Sequence, residues 1–309
     1  MMFNCPILVI AFNRPDHASK ILEAIRVIQP SQLYLAIDGP RTGNMADETA
    51  VEKTKLVFEG IDWPCTITRL YRDKNLGCKR AVSGAITWFF EHVESGIILE
   101  DDCLPAKDFF LFCEDMLERY KDETTVMHIN GVNYQMGNHR GKADYYFSKV
   151  CHVWGWASWK RAWQRYDIDL NHIDTFFDDN LYKSVINYKS AKPFWKGSFV
   201  NTRNGMVDTW DYQWVFTIWK NNGLVVAPNY NLISNIGFDA LATHTKFFDK
   251  RVSARQLEAM PSKKTYMDIL VPNYEADQFS FNSMFKYKGF LQRQMLRVQM
   301  KLKRLLAKA

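Results

Sequence analysis

Short apolar runs alternate with helical patterns over the first 130 residues of the chain. Continuous apolar runs at Pro6–Phe12, Leu33–Ile37 and Ile97–Leu99 predict strands that are buried on both faces. The run Cys65–Tyr71 alternates with period two and predicts a further strand. The segments between them, such as Asp16–Ile28, carry apolar residues at helical spacing. Strands that alternate with helices predict an α/β fold with a mostly parallel central sheet flanked by helices.

The pattern becomes less regular and richer in aromatic residues after Gly131. Eight of the ten tryptophans lie between Trp154 and Trp219. Trp156, Trp159 and Trp163 are spaced as on one face of a helix, a pattern that is more typical of a core than of a sugar-binding platform. The region is therefore either a cleft with aromatic walls or a dense second core.

The last 25 residues differ in kind from the rest. From 286 to 308 there are eight basic residues and no acid, so the net charge of +6 belongs to this tail. Its apolar residues recur at helical spacing: Leu291, Met295, Val298, Leu302 and Leu305. This pattern predicts a basic amphipathic helix that lies on an anionic membrane surface. The alternatives are an arm that binds nucleic acid and a solvated helix that packs on its own domain.

Cysteine usage and hydropathy bear on location. The six cysteines form no C-x-x-C pair, which predicts reduced thiols. The start of the chain lacks a basic region ahead of its short apolar run, and no apolar stretch approaches the length that spans a bilayer. We expect a cytoplasmic protein that is peripheral on the inner face of the cell membrane.

Polar side chains follow each predicted strand of the first half: Asn13 and Arg14, Asp38, Lys79 and Arg80, and the acids Glu100, Asp101 and Asp102. Ligand-binding loops of open α/β sheets gather at the carboxyl ends of strands. Three adjacent carboxylates repel one another, so they need a cation or several donors nearby. Oxygen ligands without histidine or cysteine favour Mg²⁺ or Mn²⁺, which usually bind phosphates as well. The alternative is that Asp101 and Asp102 cap a helix that begins near Pro105.

Two further observations limit the reaction. Asp211 precedes an apolar helix and is either its cap or a general base. The first strand is not followed by a G-x-G-x-x-G motif, and no G-x-x-x-x-G-K-[ST] motif occurs, which argues against a dinucleotide dehydrogenase and a P-loop ATPase.

Several pieces together resemble the GT-A glycosyltransferases, specifically bacterial family 2-like enzymes and more distantly N-acetylglucosaminyltransferase I. They are Pro6–Arg14, Asp38, Asn75–Lys79, Leu99–Asp102 with Asp108–Phe110, Gly155–Trp156, Trp210–Asp211 with Trp214, and Thr243–His244. The resemblance implies a GT-A fold with a nucleotide-sugar-binding half at 1–130, an acceptor half at 131–250, and an extension at 251–309.

The resemblance also implies roles for individual residues. The donor would be bound by Asn13, Arg14, Asp38, Lys79, Arg80, Glu100 and Asp101. Asp102 would bind Mn²⁺ or Mg²⁺, with His244 as a further metal or phosphate ligand whose role stays open. Asp211 would deprotonate the acceptor hydroxyl, and Trp154, Trp156 and Trp210 would line the acceptor cleft.

We therefore expect a metal-dependent, inverting glycosyltransferase with a UDP-type sugar donor and a surface-glycan or lipid-linked acceptor, and no nucleic-acid partner. One alternative is a sugar-1-phosphate nucleotidyltransferase, although such enzymes usually carry a glycine-rich loop after the first strand and Ala11–Pro15 contains no glycine. Another is a non-catalytic carbohydrate-binding protein on the same fold.

Overall fold

A computed structural model describes residues 3–186, 191–237 and 255–285. They form a mixed α/β fold with an eight-stranded sheet, a separate two-stranded sheet and flanking helices. The strands are β1 Ile7–Ala11, β2 Gln32–Ile37, β3 Thr66–Tyr71, β4 Ser95–Glu100, β5 Cys103–Pro105, β6 Val126–Asn130, β7 Tyr145–Ser148, β8 Trp156–Trp159, β9 Leu224–Pro228 and β10 Ile233–Asn235. The α-helices are α1 Pro15–Arg26, α2 Met45–Phe58, α3 Gly77–His92, α4 Lys107–Arg119, α5 Lys160–Trp163, α6 Ile173–Asp178, α7 Lys192–Arg203, α8 Asp211–Lys220 and α9 Tyr274–Ser283.

The large sheet has the strand order β3-β2-β1-β4-β8-β6-β9-β7. The first four strands are parallel neighbours, as the βα alternation predicts. Strand β8 then runs antiparallel to both β4 and β6, and β7 runs antiparallel to β9 at the edge. Four of the seven strand pairings are parallel and three are antiparallel, so the sheet is mixed.

The predicted helical stripe of tryptophans is wrong. Trp156 and Trp159 lie in β8, whereas Trp163 ends the short helix α5. Strand β8 is hydrogen-bonded on both sides, with Trp156 opposite Ile98 in β4 and opposite Asn130 in β6. Pairing on both edges therefore overrides the helical spacing of the sequence.

Hydrophobic clusters cover the two faces of the sheet. One contains residues of α1 and α4 with Val9 and Leu99. The other contains residues of α3 and α8 with Ile98 and ten buried tryptophan and phenylalanine residues between Trp156 and Trp219. The aromatic excess of the second half therefore forms a dense core.

The described C-terminal residues return to the sheet. We call 255–272 the strap, because it crosses α4 and the edge of the sheet before α9 begins at Tyr274. Among the described residues, none of the helices is both long and apolar enough to span a membrane. The predicted basic amphipathic helix and His244 lie outside the described residues.

Candidate active site at the carboxyl ends of the strands

The carboxyl ends of β1, β2 and β4 meet at one edge of the sheet. The parallel register places Ile10 opposite Glu100 and Ala11 opposite Ile37, so the residues that follow these strands are neighbours. The edge therefore brings Arg14, Asp38 and the three acids to one side of the molecule, as the sequence predicts.

Arg14 lies against two of the three acids. Its Nη1 is 3.4 Å from Asp102 Oδ2 and 3.9 Å from Asp101 Oδ1. Asp101 Oδ2 also accepts a hydrogen bond from the backbone N–H of Phe12 at 3.2 Å. Asp101 is thus buried and tied to the end of β1, whereas the side chain of Asp102 keeps 24% of its surface exposed.

The small sheet of β5 and β10 holds Asp102 from the other side. Asp102 Oδ1 accepts hydrogen bonds from Asn235 Nδ2 at 3.3 Å and from the Cys103 thiol at 3.4 Å. The chain passes so close at Gly237 that a Cβ there would lie 2.3 Å from Asp102 Oδ2. A glycine at this position allows the backbone to approach the carboxylate.

The prediction that Asp101 and Asp102 cap a helix is wrong. Strand β5 follows them directly, and α4 begins only at Lys107. Ala106 occupies the N-cap and makes no side-chain cap hydrogen bond. The two acids are therefore not required for helix capping.

Negative charge at this edge is only partly balanced. Burial raises the pKa of Glu100 well above its usual range, and the carboxylates of Asp102, Asp101 and Asp211 raise it further, while Arg14 lowers it. One guanidinium faces several carboxylates, so an added cation would be stabilised here.

Asp211 lies at the start of α8 and belongs to this electrostatic cluster. The N-cap is Trp210, without a side-chain cap, so Asp211 is in the first turn rather than at the cap position. Its Oδ1 accepts hydrogen bonds from Thr209 Oγ1 at 2.5 Å and from the N–H of Tyr212 at 2.9 Å. Asp211 raises the pKa of Glu100, which indicates that the two carboxyl groups lie near each other.

Sequence reasoning missed the role of Asp208. Its carboxylate accepts hydrogen bonds from the N–H groups of Cys78 at 3.0 Å and Lys79 at 3.3 Å, at the N-terminus of α3. This contact joins the first turn of α3 to the loop before α8. Burial raises the pKa of the Cys78 thiol, and the charges of Glu100, Asp211, Asp208 and Asp102 raise it further. The start of α3 therefore lies near both the strand-end acids and the start of α8.

Two predicted donor ligands hold loops in place. Asp38 accepts hydrogen bonds from the N–H of Leu76 at 3.1 Å and from Asn75 Nδ2 at 2.9 Å. Burial raises the pKa of Asp38. Asn13 Nδ2 donates to Asp47 Oδ1 at 2.8 Å. Both side chains therefore shape the edge of the site from the loops that follow β1 and β2.

Asp47, the partner of Asn13, is missing from the sequence-based candidates. Arg41 pairs with Asp47 and is the main cause that lowers the pKa of this buried carboxyl to about 2. A lone aspartate three residues after Asn44 carries no strong sequence signal, since only the fold brings Asn13 to it. The same segment shows an N-cap, in which Asn44 accepts from the Asp47 N–H at 3.1 Å.

Lys79 and Arg80 lie in the first turn of α3, and no described contact joins either side chain to a strand-end acid. Trp156 and Trp210 are buried and stack on each other with ring centroids 5.7 Å apart. Buried rings of this kind have no face open to a sugar, so their predicted place in an acceptor cleft is corrected to the core. Trp154 is half-buried and contacts Tyr134 edge to face.

A divalent ion fits this edge only with a bound substrate. The described residues contain no group of three histidine, cysteine, aspartate or glutamate side chains that could hold a metal ion. Asp102 is partly exposed beside carboxylates that Arg14 balances incompletely. Mg²⁺ is commonly held by one or two carboxylates, with substrate phosphates and water as the other ligands. Asp102 fits such a site, in which a diphosphate would supply further ligands.

Comparison with known proteins identifies no family. No protein-family model matches the sequence, and no curated protein matches it. Among solved structures, the chain is similar to 4-diphosphocytidyl-2C-methyl-D-erythritol synthase from Anaerococcus prevotii, at 11% identity and a TM-score of 0.33 over 57% of this chain and 84% of that one.

Two other solved structures show the same degree of likeness. HddC from Yersinia pseudotuberculosis has 8% identity and a TM-score of 0.33 over 51% of this chain and 77% of that one. A UDP-glucose pyrophosphorylase complexed with UDP-glucose has 8% identity and a TM-score of 0.36 over 74% of this chain and 93% of that one. None of these three is named as a glycosyltransferase. Likeness at this level does not decide activity, which is argued below from the site.

Proposed function

We propose that the protein is a metal-dependent glycosyltransferase that moves a sugar from a nucleoside-diphosphate donor to a glycan hydroxyl. The observation that supports this most is that the charge of Asp211, in the first turn of α8, acts on Glu100, which precedes Asp101 and Asp102. A site for this reaction needs a place for a diphosphate and an acid–base group for the acceptor, and the edge offers candidates for both.

The donor diphosphate is assigned to the side of the edge where Asp102 is exposed. When bound, Mg²⁺ or Mn²⁺ would stabilise the negative charge that grows on the leaving nucleoside diphosphate. Arg14 fixes Asp101 and Asp102 relative to each other, and Lys79 and Arg80 in the first turn of α3 supply positive charge near phosphate oxygens. Asn13 and Asp38 shape the nucleoside end of the site through the loops that they hold.

The acceptor hydroxyl is assigned to Asp211. Its carboxylate is oriented through Oδ1, which accepts hydrogen bonds from Thr209 Oγ1 and from the N–H of Tyr212. A positioned base of this kind contributes about 10²- to 10⁴-fold in rate. Inversion at the sugar, a UDP-type donor, and a surface-glycan or lipid-linked acceptor remain part of the same proposal. Trp154 is the one predicted acceptor ligand that is not fully buried.

The second candidate is a sugar-1-phosphate nucleotidyltransferase. The same acids could bind the metal and phosphates of a nucleoside triphosphate. Against it, β1 leads through Phe12–Arg14 directly into α1 without a glycine-rich loop. A base for an acceptor hydroxyl is also superfluous in that reaction.

The released product separates these activities. The purified full chain is incubated with nucleoside-diphosphate sugars and Mn²⁺, or with a nucleoside triphosphate and a sugar 1-phosphate, and the products are measured. We expect release of a nucleoside diphosphate and its loss with EDTA. Pyrophosphate release would establish the nucleotidyltransferase instead, and no release from any donor, despite sugar binding, would establish a carbohydrate-binding protein.

Substitution of Asp211 tests the assigned base. Asp211→Asn keeps the size of the side chain and removes its basicity, so we expect the rate of sugar transfer to fall about 10²-fold or more with little change in donor affinity. Asp179→Asn, at an exposed acid that ends α6, is the matched control. Equal transfer by Asp211→Asn and the parent protein would contradict the assignment.

Membrane association is proposed from the tail alone. The basic stretch after residue 285 would bring the acceptor edge to a lipid-linked glycan. Flotation with anionic liposomes compares the full chain with a chain that ends at Ser283, and equal flotation of the two would remove the tail from the proposal.

A further inference from the structure

The strap and the first residue of α9 carry a group of large apolar side chains that face solvent. Tyr266, Ile269, Val271 and Tyr274 are 40%, 65%, 49% and 61% exposed within nine residues of chain. Four such residues in one short segment are unusual for a surface loop, because isolated apolar side chains are the norm on protein surfaces. We call these four residues the apolar strap patch.

Apolar contacts and hydrogen bonds hold the strap against the sheet, and these contacts orient the patch side chains. Met267 and Leu270 alternate with the patch residues and pack against the core of the sheet. The N–H of Met267 donates to the Tyr145 hydroxyl at 3.1 Å, and the N–H of Asn273 donates to the Phe147 carbonyl at 2.7 Å. Inward anchors on either side of Ile269 therefore direct its side chain outward.

The surroundings of the patch are mixed in charge at one end. Lys264 pairs with Asp115 at 3.0 Å, and the Arg119 guanidinium lies over the Tyr266 ring at 4.0 Å. Asp268 is the single acid between Tyr266 and Tyr274. Tyrosines that flank exposed aliphatic side chains match the interface of a bilayer, where an aromatic ring is apolar at one end and hydrated at the other.

The position of the patch along the chain points to a lipid occupant. Helix α9 begins at Tyr274 and ends at Ser283, and the eight basic residues without an acid begin at Lys286. A basic segment gives attraction to anionic headgroups, whereas shallow apolar insertion needs exposed side chains on an anchored surface. The ten residues of α9 lie between Val271 of the patch and the basic segment.

We propose that the apolar strap patch inserts into the interface of an anionic bilayer and acts as a second membrane contact beside the basic tail. The inference rests on the proposed membrane location, but its test does not depend on sugar transfer. The partner is a lipid surface, and self-association through the patch is treated as an outcome that would overturn it.

The test compares binding of the full chain and its variants to vesicles of phosphatidylcholine with phosphatidylglycerol. Ile269→Ser with Val271→Ser removes the two aliphatic side chains of the patch. The matched control is Val27→Ser with Leu56→Ser. Val27 directly follows α1 and Leu56 lies in α2, and they are 61% and 68% exposed. We expect the partition coefficient of the patch variant to fall about tenfold. The control variant should partition like the parent protein.

Salt separates the two contacts. Binding through the tail weakens as ionic strength rises, whereas the ratio between the parent and the patch variant should stay constant because it reports apolar insertion. Circular dichroism and nucleoside-diphosphate release must match the parent protein, which separates this proposal from the proposed reaction. Equal partitioning of the patch variant and the parent would overturn the proposal. A parent dimer that becomes a monomer in the patch variant, with unchanged partitioning, would also overturn it.

Discussion

At the scale of single residues, the two aspartates that follow Glu100 have different tasks although they are adjacent. Asp101 is buried and accepts the N–H of Phe12, so it joins the ends of β4 and β1. Asp102 is partly exposed and contacts Arg14 and Asn235 at the rim. The sequence predicted that both acids serve the site, but only the paired strands show which carboxylate is available to a ligand.

Asp102→Asn should therefore remove activity without unfolding the protein. The amide keeps the size of the carboxylate but loses its charge, so we expect nucleoside-diphosphate release to fall roughly 10²- to 10³-fold. The ion pair with Arg14 is partly exposed and contributes only about 0–1 kcal/mol to stability. Asp101→Asn should instead lower the free energy of unfolding by about 1–3 kcal/mol, because its buried contact with Phe12 is weakened. Product release and urea denaturation are measured for each. Similar profiles for the two variants would contradict this division.

A buried histidine, His128, and a partly buried one, His152, predict a loss of stability in acid. His128 Nε2 donates to the His152 carbonyl at 2.9 Å, and His128 Nδ1 accepts from Trp214 Nε1 at 3.0 Å. Burial lowers the pKa of each histidine from 6.5 to about 3. Below about pH 6.5 these histidines are therefore protonated in the unfolded chain, whereas in the folded chain they stay neutral down to about pH 3. The free energy of unfolding falls as pH is lowered through that window.

His152→Phe tests this pH dependence. Phenylalanine keeps the ring contacts with Tyr134 and Phe285. Near pH 5 each shifted histidine contributes about 1.4 kcal/mol per pH unit to the slope of the free energy of unfolding against pH. The slope of the variant should therefore be smaller by about that amount. Urea denaturation between pH 7.5 and 4.5 measures it. A slope identical to that of the parent protein would show that His152 titrates normally in the folded state.

At the scale of elements, local patterns predicted the first half of the fold and failed where partners are distant. The runs that predict β1, β2 and β4 are continuously apolar, the run that predicts β3 alternates with period two, and the strands form where these patterns place them. Strand β8 is four residues long and could equally follow the period of a helix. Its strand conformation is decided by β4 and β6. Short elements that depend on two neighbours are poorly determined by their own residues.

The candidate site shows the same limit. Strand-end acids could be predicted because each follows its own apolar run. The contact of Asp208 with α3 could not, because 130 residues separate it from Cys78 and an exposed aspartate in a loop is common. This carboxylate accepts the N–H groups of Cys78 and Lys79, which the helix itself leaves unpaired in its first turn.

Asp208→Ala should therefore destabilise α3 and loosen its contact with the start of α8. Loss of a carboxylate that caps a helix N-terminus costs about 1 kcal/mol. Urea denaturation should show this decrease in the free energy of unfolding, and amide hydrogen exchange should rise at Cys78 and Lys79. Asp179→Ala, at the exposed end of α6, is the control. Exchange at α3 that does not change in Asp208→Ala would mean that this contact contributes nothing in solution.

At the scale of the whole molecule, the described C-terminal residues join α4 to the β7 edge of the sheet. Asp144 accepts hydrogen bonds from the N–H and hydroxyl of Thr265, and Asp108 accepts the N–H of Met260 at 2.8 Å. Helix α9 then buries Phe281 beside the second core. The residues predicted as an extension from 251 onward thus include 255–285, which complete the core rather than follow it.

One buried carboxylate joins α9 to the edge strand. Asp277 accepts hydrogen bonds from Ser148 Oγ at 2.5 Å and from the N–H of Lys149 at 3.0 Å. Burial raises the pKa of Asp277 to about 6, and Ser148 and Lys149 oppose that rise. The Lys149 ammonium is itself held by the carbonyls of Asn222 and Gly223. This contact couples the C-terminal segment to both β7 and the turn after α8.

Asp277→Ala should release α9 from the sheet. The substitution leaves two buried donors without their acceptor and removes the negative charge near Lys149, which costs about 2–4 kcal/mol. Gln278→Ala on the exposed side of the same helix should change the free energy of unfolding little, because it removes no buried contact. Urea denaturation and limited proteolysis of the full chains measure both variants, and we expect cleavage within 255–285 to accelerate only in Asp277→Ala. Since Phe281 is carried by the same helix, its release would also expose the second core. Equal protease resistance of the two variants would place the attachment of α9 in its apolar contacts rather than in this carboxylate.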